Sequence, residues 1–543
     1  MILHRIRPGS KWGLARDAGI TLVSAGLLIA AFPSRDFGFL AWVALVPFFL
    51  AVSRQSFAGA LLLSVFFGSV FLPGIFNWIL ELWYYRWYHH LLLAVYFGFY
   101  FAVFGGVVAF LSKRLGAITA LWAAPFLWVT LEYLRSNFFF LALPWGLLAH
   151  TQYRYPVVIQ MVSIFGTYGL SFLIVFFNAA LSIGILFYLK GGRARQYTTA
   201  SSKGGPNIVC LIAAGLYIFW MLGFGIREIW QPTPGKAFEI SLIQANIPQS
   251  KKWDPEYADE IMKAYSDLTR KASRTRPDLI VWPETATPGA ITRDGALFDR
   301  VTALVQKTGT PLLVGSAEFQ KFQKAEAVET RLTNSAFLLN PSKEEVNLQR
   351  YDKIRLFPFG EYLPYKETLP WNWIRVSSLS QYAPGTEHTV FQLPPHRFAV
   401  TICWENIFPD LVRRFVNNGA QFIINLTNEA RFGNTAAPYQ LMAISVFRAV
   451  ENGVFVVRCA NTGVSGIIDP RGRVVRTFQD SRGQEIFVRG FLTEKIVSTQ
   501  TKTFYTKHGD LVPFGSAAGC GLFLLLASRK PRKEKNGRKS GRC

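Results

Sequence analysis

Seven long apolar runs crowd the first 226 residues of a 543-residue chain, and they restrict what it can fold into more than any other feature. A membrane span takes roughly 20 mainly apolar residues. The runs extend over about Ala18 to Phe32, Phe37 to Val52, Phe57 to Leu80, Leu91 to Leu111, Ala117 to Leu131, Val162 to Leu189 and Ile208 to Ile226, and an eighth covers Leu511 to Ser528. The first, second and fifth are short. A cleaved signal peptide would account only for the first, and no small-residue cleavage site follows Phe32. The sequence therefore predicts a polytopic α-helical membrane domain of about eight spans. Seven lie within residues 1–226 and the last is residues 511–528, followed by a basic tail, residues 529–543. Residues 227–510 have ordinary polarity and read as a separate α/β domain.

A net charge of +24 raises the possibility of a nucleic-acid partner, but the positions of the charges argue against it. Lys and Arg cluster at the N-terminus (Arg5, Arg7, Lys11, Arg16), after the second run (Arg54), after the fourth (Lys113, Arg114), after the sixth (Lys190, Arg193, Arg195, Lys203) and in the tail. Basic loops stay on the cytoplasmic side. This alternation puts both termini inside and residues 227–510 outside. No basic–aromatic nucleic-acid motif is present, and the tail suits anionic lipid headgroups.

Five cysteines are spread over the chain, and only Cys403 and Cys459 fall within 227–510. An outward location permits a disulfide between them. Both sit at or near the ends of separate apolar runs and nothing else resembles a disulfide scaffold, so free thiols are expected.

Strand-like runs recur through this region, among them "EISLIQAN", "DLIVWPET", "PLLVGSA", "RFAVTICWE", "QFIINLTN" and "VFVVRCAN", with helical periodicity over Pro255 to Ser273 and Tyr439 to Asn452. Glu284 follows one buried strand and Cys403 follows another, and strand ends are where α/β sheets build sites. Lys353 and Glu361 lie in "YDKIRLFPFGEYLP", a segment whose prolines and glycine indicate an ordered loop. Singly, these read as a loop acid, a surface lysine and a core thiol. Together, an acid, an ammonium and a thiol are the parts for acyl transfer through a thioester: a base for the thiol proton, a nucleophile, and a cation for the oxyanion. The sequence has no HExxH, no CxxC pair and no GxxxxGK[ST], so neither a metal nor a cofactor is expected. A Cys–His arrangement would need His388 or His396 beside Cys403.

At these residues the sequence resembles the nitrilase superfamily of carbon–nitrogen hydrolases. Over nearly its full length it is similar to that superfamily's integral membrane branch, the apolipoprotein N-acyltransferase family, through "LIQANIPQSKKW", "VWPET", "ICWENIFP", "NLTNEARFG", "RAVENG", "CANTGVSGIIDPRG" and "FYTKHGDLVPF". The resemblance implies an αββα sandwich, with Glu284 as general base, Lys353 as oxyanion-stabilising lysine and Cys403 as nucleophile, supported by Glu361, Trp404 and Glu405. It further implies a bacterial inner-membrane enzyme. Its acyl donor would be a membrane phospholipid and its acceptor the N-terminal amine of a diacylglyceryl-modified apolipoprotein. Three positions depart from the family pattern: Trp404 stands for a common tyrosine, "NEARFG" for "NDAWFG", and Leu441 for a frequent histidine. Two other readings compete, a membrane-tethered amidase with the same triad and a transporter with an outer sensing domain, although the spans carry few charges of the kind that mark solute pathways.

The charge alternation is tested by labelling intact cells with a membrane-impermeant thiol reagent. A cysteine placed at Lys251 should be labelled and one placed at Lys530 should not; the reverse pattern would overturn the orientation.

Overall fold

Helices occupy all eight apolar runs. The computed structural model describes residues 11–83, 85–189, 206–324, 327–341, 348–374 and 382–529, so most of the basic tail and the cluster from Lys190 to Lys203 lie outside the described residues. The helices are α1 (Lys11–Ala31), α2 (Ala41–Val52), α3 (Phe57–Ile75), α4 (Trp87–Leu115), α5 (Ala117–Asn137), the short α6 (Pro156–Ile159), α7 (Val162–Leu189) and α8 (Pro206–Ile229). Among the described residues six helices are long and apolar enough to cross a membrane: five in this part, namely α1, α3, α4, α5 and α7, and one at Leu511–Arg529. A helix satisfies its own backbone, as a lipid solvent demands. Large apolar side chains such as Phe99, Phe219 and Leu525 face outward, where a water-soluble protein would carry polar ones.

Several boundaries differ from the sequence reading: α1 begins at Lys11 rather than Ala18, α2 at Ala41 rather than Phe37, and α4 spans Trp87–Leu115 rather than Leu91 to Leu111. The third run was expected to continue to Leu80, but α3 stops at Ile75 and a 3-10 turn, Asn77–Glu81, follows. Pro73 removes a ladder donor in the last turn of α3. The fifth run continues past Leu131 to Asn137, because Glu132 and Arg135, which break its apolar pattern, are themselves buried and hydrogen-bonded.

After α8 the chain builds two six-stranded sheets. One is β1 (Lys236–Gln244), β2 (Leu279–Val281), β3 (Leu312–Lys324), β4 (Ala327–Leu339), β5 (Leu348–Asp352) and β12 (Gly490–Ser498), in the order β12-β1-β2-β3-β4-β5. The other is β6 (Val390–Leu393), β7 (His396–Ile402), β8 (Phe422–Thr427), β9 (Phe455–Ala460), β10 (Gly466–Ile468) and β11 (Val474–Thr477), in the order β11-β10-β9-β8-β7-β6. In each sheet the three central strands run parallel, β1-β2-β3 and β7-β8-β9.

The two-residue period of a strand decides which face each side chain takes. Leu279 and Val281 point between the sheets, where they join Phe398, Val400 and Ile424 in one core. Ile280 and Trp282 point outward, beneath α9 (Ala258–Ser273) and α10 (Gly295–Thr308), where Trp282 packs on Tyr265 and donates its Nε1–H to Thr269 Oγ1 at 2.9 Å. The second sheet is covered by α11 (Pro409–Asn417) and α12 (Ala437–Asn452). The result is an αββα sandwich. The short α13 (Phe504–His508) then leads into α14 (Leu511–Arg529), which packs against α4, α5 and α7.

Helix α12 joins the sandwich to the membrane helices. Gln440 Oε1 accepts from the indoles of Trp78 at 3.1 Å and Trp145 at 2.8 Å. Near its other end Arg448 pairs with Glu451 at 2.9 Å, and both side chains are buried. Glu451 Oε1 accepts from the backbone N–H and the hydroxyl of Thr167, just past Gly166, whose positive φ interrupts α7. Arg448 also donates to Thr167 Oγ1 and to the Ile407 carbonyl. Removing one member of a buried ion pair typically costs about 3–5 kcal/mol. Arg448→Met should therefore lower the thermal midpoint of the detergent-solubilised protein sharply. The double change Arg448→Met with Glu451→Gln should recover part of the loss, and an unchanged midpoint for the single variant would contradict this role.

Candidate active site

Glu284, Lys353 and Cys403 line a single cavity of about 140 Å³ between the sandwich and the helix ends. Glu284 leaves the end of β2 and is almost wholly buried. Its Oε1 accepts from Asn334 Nδ2 at 2.7 Å, and its Oε2 accepts from the backbone N–H of Asn428 at 2.8 Å. The neighbouring strand must come close for this, and only glycine permits it: a Cβ on Gly315 would lie 2.3 Å from the Pro283 carbonyl oxygen.

Lys353 follows β5, with its side chain 1% exposed. Its Nζ donates to Glu361 Oε1 at 2.8 Å and lies 3.8 Å from Glu284 Oε1. Asn334 Nδ2 also reaches Glu361 at 3.1 Å, so one amide spans both carboxylates. The second Glu361 oxygen accepts from the Phe357 backbone N–H at 2.7 Å. Burial alone would lower the Lys353 pKa, but Glu361, Cys403 and Glu284 together hold it above the usual lysine value, so the side chain remains an ammonium.

Cys403 is the first residue of a 3-10 turn, Cys403–Ile407, at the end of β7. Its φ of 58° is in the left-handed region, which costs a non-glycine residue roughly 1–3 kcal/mol. Its carbonyl accepts from Asn425 Nδ2 at 3.0 Å. Beneath that amide Arg458 donates to Asn425 Oδ1 at 3.0 Å and pairs with Glu429, with all three side chains buried. Burial, and then the charge of Glu284, raise the thiol pKa far above its usual value, although Lys353 opposes them. The resting group is a thiol, so a base must deprotonate it as it reacts.

The supporting residues serve different purposes. Glu405 is fully buried, and its two oxygens accept from the backbone N–H groups of Ile354 (2.7 Å), Arg355 (2.9 Å) and Ile402 (2.8 Å) and from the Tyr351 hydroxyl. Burial pushes it up to about 7 against the pull of these donors. It clamps the lysine loop to the cysteine turn. Trp404 donates to the Arg355 carbonyl at 2.6 Å and packs edge-on against Phe357 and Phe408, which seals the same junction.

Other candidates fall away. Cys403 and Cys459 are free thiols, and Cys459 is buried on β9 with its Sγ against the backbone carbonyls of Ile243 and Val281. His396 bonds Ser498 and His388 packs on Phe415, so neither belongs to the cavity. Among the described residues no cluster of His, Cys, Asp or Glu has the arrangement to hold a metal ion. Sequence reasoning missed Asn334, the Asn428 N–H and Lys252, a buried ammonium that donates to the Glu284 carbonyl at 2.9 Å and that burial lowers to about 7.

Comparison with known proteins bears on this arrangement. Residues 239–488 match the family described as Carbon-nitrogen hydrolase, and residues 24–180 match the Apolipoprotein N-acyltransferase N-terminal domain. The apolipoprotein N-acyltransferase of Geobacter metallireducens is 35% identical over 525 residues, covering 95% of this chain and 96% of that protein. The chain belongs to the apolipoprotein N-acyltransferase family. Another member, from Chlorobaculum tepidum, is 30% identical over 93% of this chain and 95% of its own length. Among solved structures, an amidase of the nitrilase superfamily from Nesterenkonia AN1 aligns with 51% of this chain and 97% of its own at 18% identity and a TM-score of 0.37. As a family member the chain is a multi-pass membrane acyltransferase.

The resting thiol is protonated and half-buried, and Glu284 shares its cavity, so if Glu284 is the base the reaction of Cys403 with a neutral electrophile will depend on it. General-base assistance typically contributes about 100- to 10,000-fold. Alkylation of Cys403 by iodoacetamide, followed by peptide mass mapping, should slow by roughly 100-fold or more in Glu284→Gln, while Cys459 stays unmodified in both proteins. Equal Cys403 rates would remove Glu284 as the base.

Proposed function

We propose that the enzyme moves an acyl chain from a membrane phospholipid to Cys403, and from there to the N-terminal amine of a diacylglyceryl-cysteine on an apolipoprotein. The observation that carries this reading is the composition of the cavity wall. Glu284, Lys353 and Cys403 share it with Leu82 and Trp145, which belong to the membrane-helix portion of the chain. A substrate whose chains remain in the bilayer can reach the thiol without leaving it.

In the first half-reaction Glu284 takes the Sγ proton as sulfur attacks the ester carbonyl carbon of the phospholipid. The Lys353 ammonium, held by Glu361, stabilises the oxyanion of the tetrahedral intermediate. The ester C–O bond breaks, and the departing glycerol oxygen receives the proton from Glu284, which releases a lysophospholipid and leaves a thioester. In the second half-reaction the α-amino nitrogen attacks the thioester carbonyl and passes a proton to Glu284. The C–S bond breaks, and the thiolate recovers that proton. No metal or cofactor takes part in these steps.

The charge pattern of the loops supports an inner-membrane protein with residues 227–510 on the outer face, residues 1–226 and 511–528 in the bilayer and residues 529–543 inside. A membrane-tethered amidase would use the same triad with water in the second step, but nothing in that reading calls for a cavity that includes Leu82 and Trp145 from the membrane-helix portion of the chain.

The test is transfer from phospholipid to a diacylglyceryl-cysteine peptide in mixed micelles. Cys403→Ala should abolish it, and Lys353→Ala should cost about 100- to 1000-fold, as loss of an oxyanion donor typically does. Glu361→Gln and Glu405→Gln should slow it while leaving membrane insertion intact. Transfer by Cys403→Ala, or hydrolysis in preference to transfer by the unaltered enzyme, would contradict the proposal.

A further inference from the structure

The catalytic cavity holds one charge that the acyl-transfer steps do not use. Arg431, in a 3-10 turn (Ala430–Phe432) beyond β8, is a half-buried residue that lines the cavity. Among the described residues no hydrogen bond or ion pair engages its guanidinium. The nearby acids are all committed elsewhere. Glu429 turns into the interior onto Arg458, Glu361 is held by Lys353 and the Phe357 N–H, and Glu284 by Asn334 and the Asn428 N–H. A cation without a partner on a half-buried residue bears a desolvation cost that an anionic ligand would relieve.

The position of the turn indicates where that anion comes from. The Phe432 ring packs on Trp78 at 5.0 Å, in the turn that follows α3, and Leu82 and Trp145 complete this side of the cavity. Arg431 therefore stands at the seam between the sandwich and the helix ends, level with the aromatic residues that favour a membrane–water interface. A guanidinium matches the oxygens of a phosphate as a bidentate donor. In a phospholipid the phosphodiester and the reacting ester share one glycerol, so a donor whose ester lies at Cys403 brings its phosphate into the same cavity.

We propose that Arg431 binds the headgroup phosphodiester of the acyl donor and sets the enzyme's preference for phospholipids over uncharged glycerolipids. This rests on the thioester reading above and adds to it a residue that recognises the donor. Arg431 is a binding residue and takes no part in bond making.

The test measures the initial rate of Cys403 acyl-adduct formation, by intact mass, in neutral detergent micelles containing either dioleoyl phosphatidylglycerol or dioleoylglycerol. The phospholipid-to-diacylglycerol rate ratio should fall roughly ten-fold or more in Arg431→Gln, as expected for loss of a charged hydrogen bond, and Arg431→Lys should keep more of it. An unchanged ratio in Arg431→Gln, whatever the absolute rates, would overturn the proposal and leave the thioester reading intact. Inorganic phosphate that raised the diacylglycerol rate in an Arg431-dependent manner would also overturn it, by identifying free phosphate as the ligand. No adduct from either donor in the unaltered enzyme would instead overturn the thioester reading, and this proposal with it.

Discussion

The Glu405 carboxylate holds the active site together. It lies between the two sheets and ties the backbone at Ile354 and Arg355, next to Lys353, to the backbone at Ile402, next to Cys403. Lysine and cysteine come from different sheets, so without such a tie their separation would depend on the packing of two loops. A carboxylate is suited to this because one group can accept four or more hydrogen bonds, whereas a neutral amide oxygen accepts about two. Catalytic groups must be held to within a fraction of an ångström for an oxyanion donor to be effective. The clamp uses a buried acid to provide that precision, and Tyr351 and Trp404 close it from either side.

The second constraint is the junction with the membrane helices. Gln440 fixes Trp78 and Trp145, and the Arg448–Glu451 pair fixes α7 at Thr167, so α12 carries the sandwich against the helix ends. The same contacts bring Trp145 into the wall of the catalytic cavity. The proposed transfer between two bilayer-anchored substrates would use this closeness.

Much of this was legible in the sequence. Continuous apolar runs can satisfy lipid in few ways, so the helices themselves were readable, but their edges were not: α1 and α4 take in polar and charged residues beyond their apolar runs, α3 ends early near Pro73, and α5 continues through the buried polar pair Glu132 and Arg135. Glu284 and Cys403 stood out because an acid and a thiol end apolar strands, and Lys353 because it belongs to an ordered loop. The residues that organise them were invisible. Asn334 is a polar residue in a strand with nothing to mark it, the Asn428 contribution is a backbone N–H, and Lys252 reads as one of a surface pair with Lys251 although its neighbour is exposed and it is buried. The "NEARFG" departure was visible, but its sense was not: Glu429 supports the cysteine turn through Arg458 and Asn425, whereas Arg431 enters the cavity.

Whether Cys403 carries the acyl chain between donor and acceptor is the claim on which the rest of the chemistry stands. A single-turnover pulse–chase resolves it: the enzyme is loaded from a phospholipid bearing a deuterated acyl chain, freed of donor, and mixed with a diacylglyceryl-cysteine peptide while peptide mass mapping follows the label. The expected result is a hydroxylamine-labile deuterated adduct on Cys403 that disappears at the same rate as the label appears on the peptide's amino nitrogen. Label reaching the peptide with no adduct on Cys403, or an adduct that survives the chase, would contradict it.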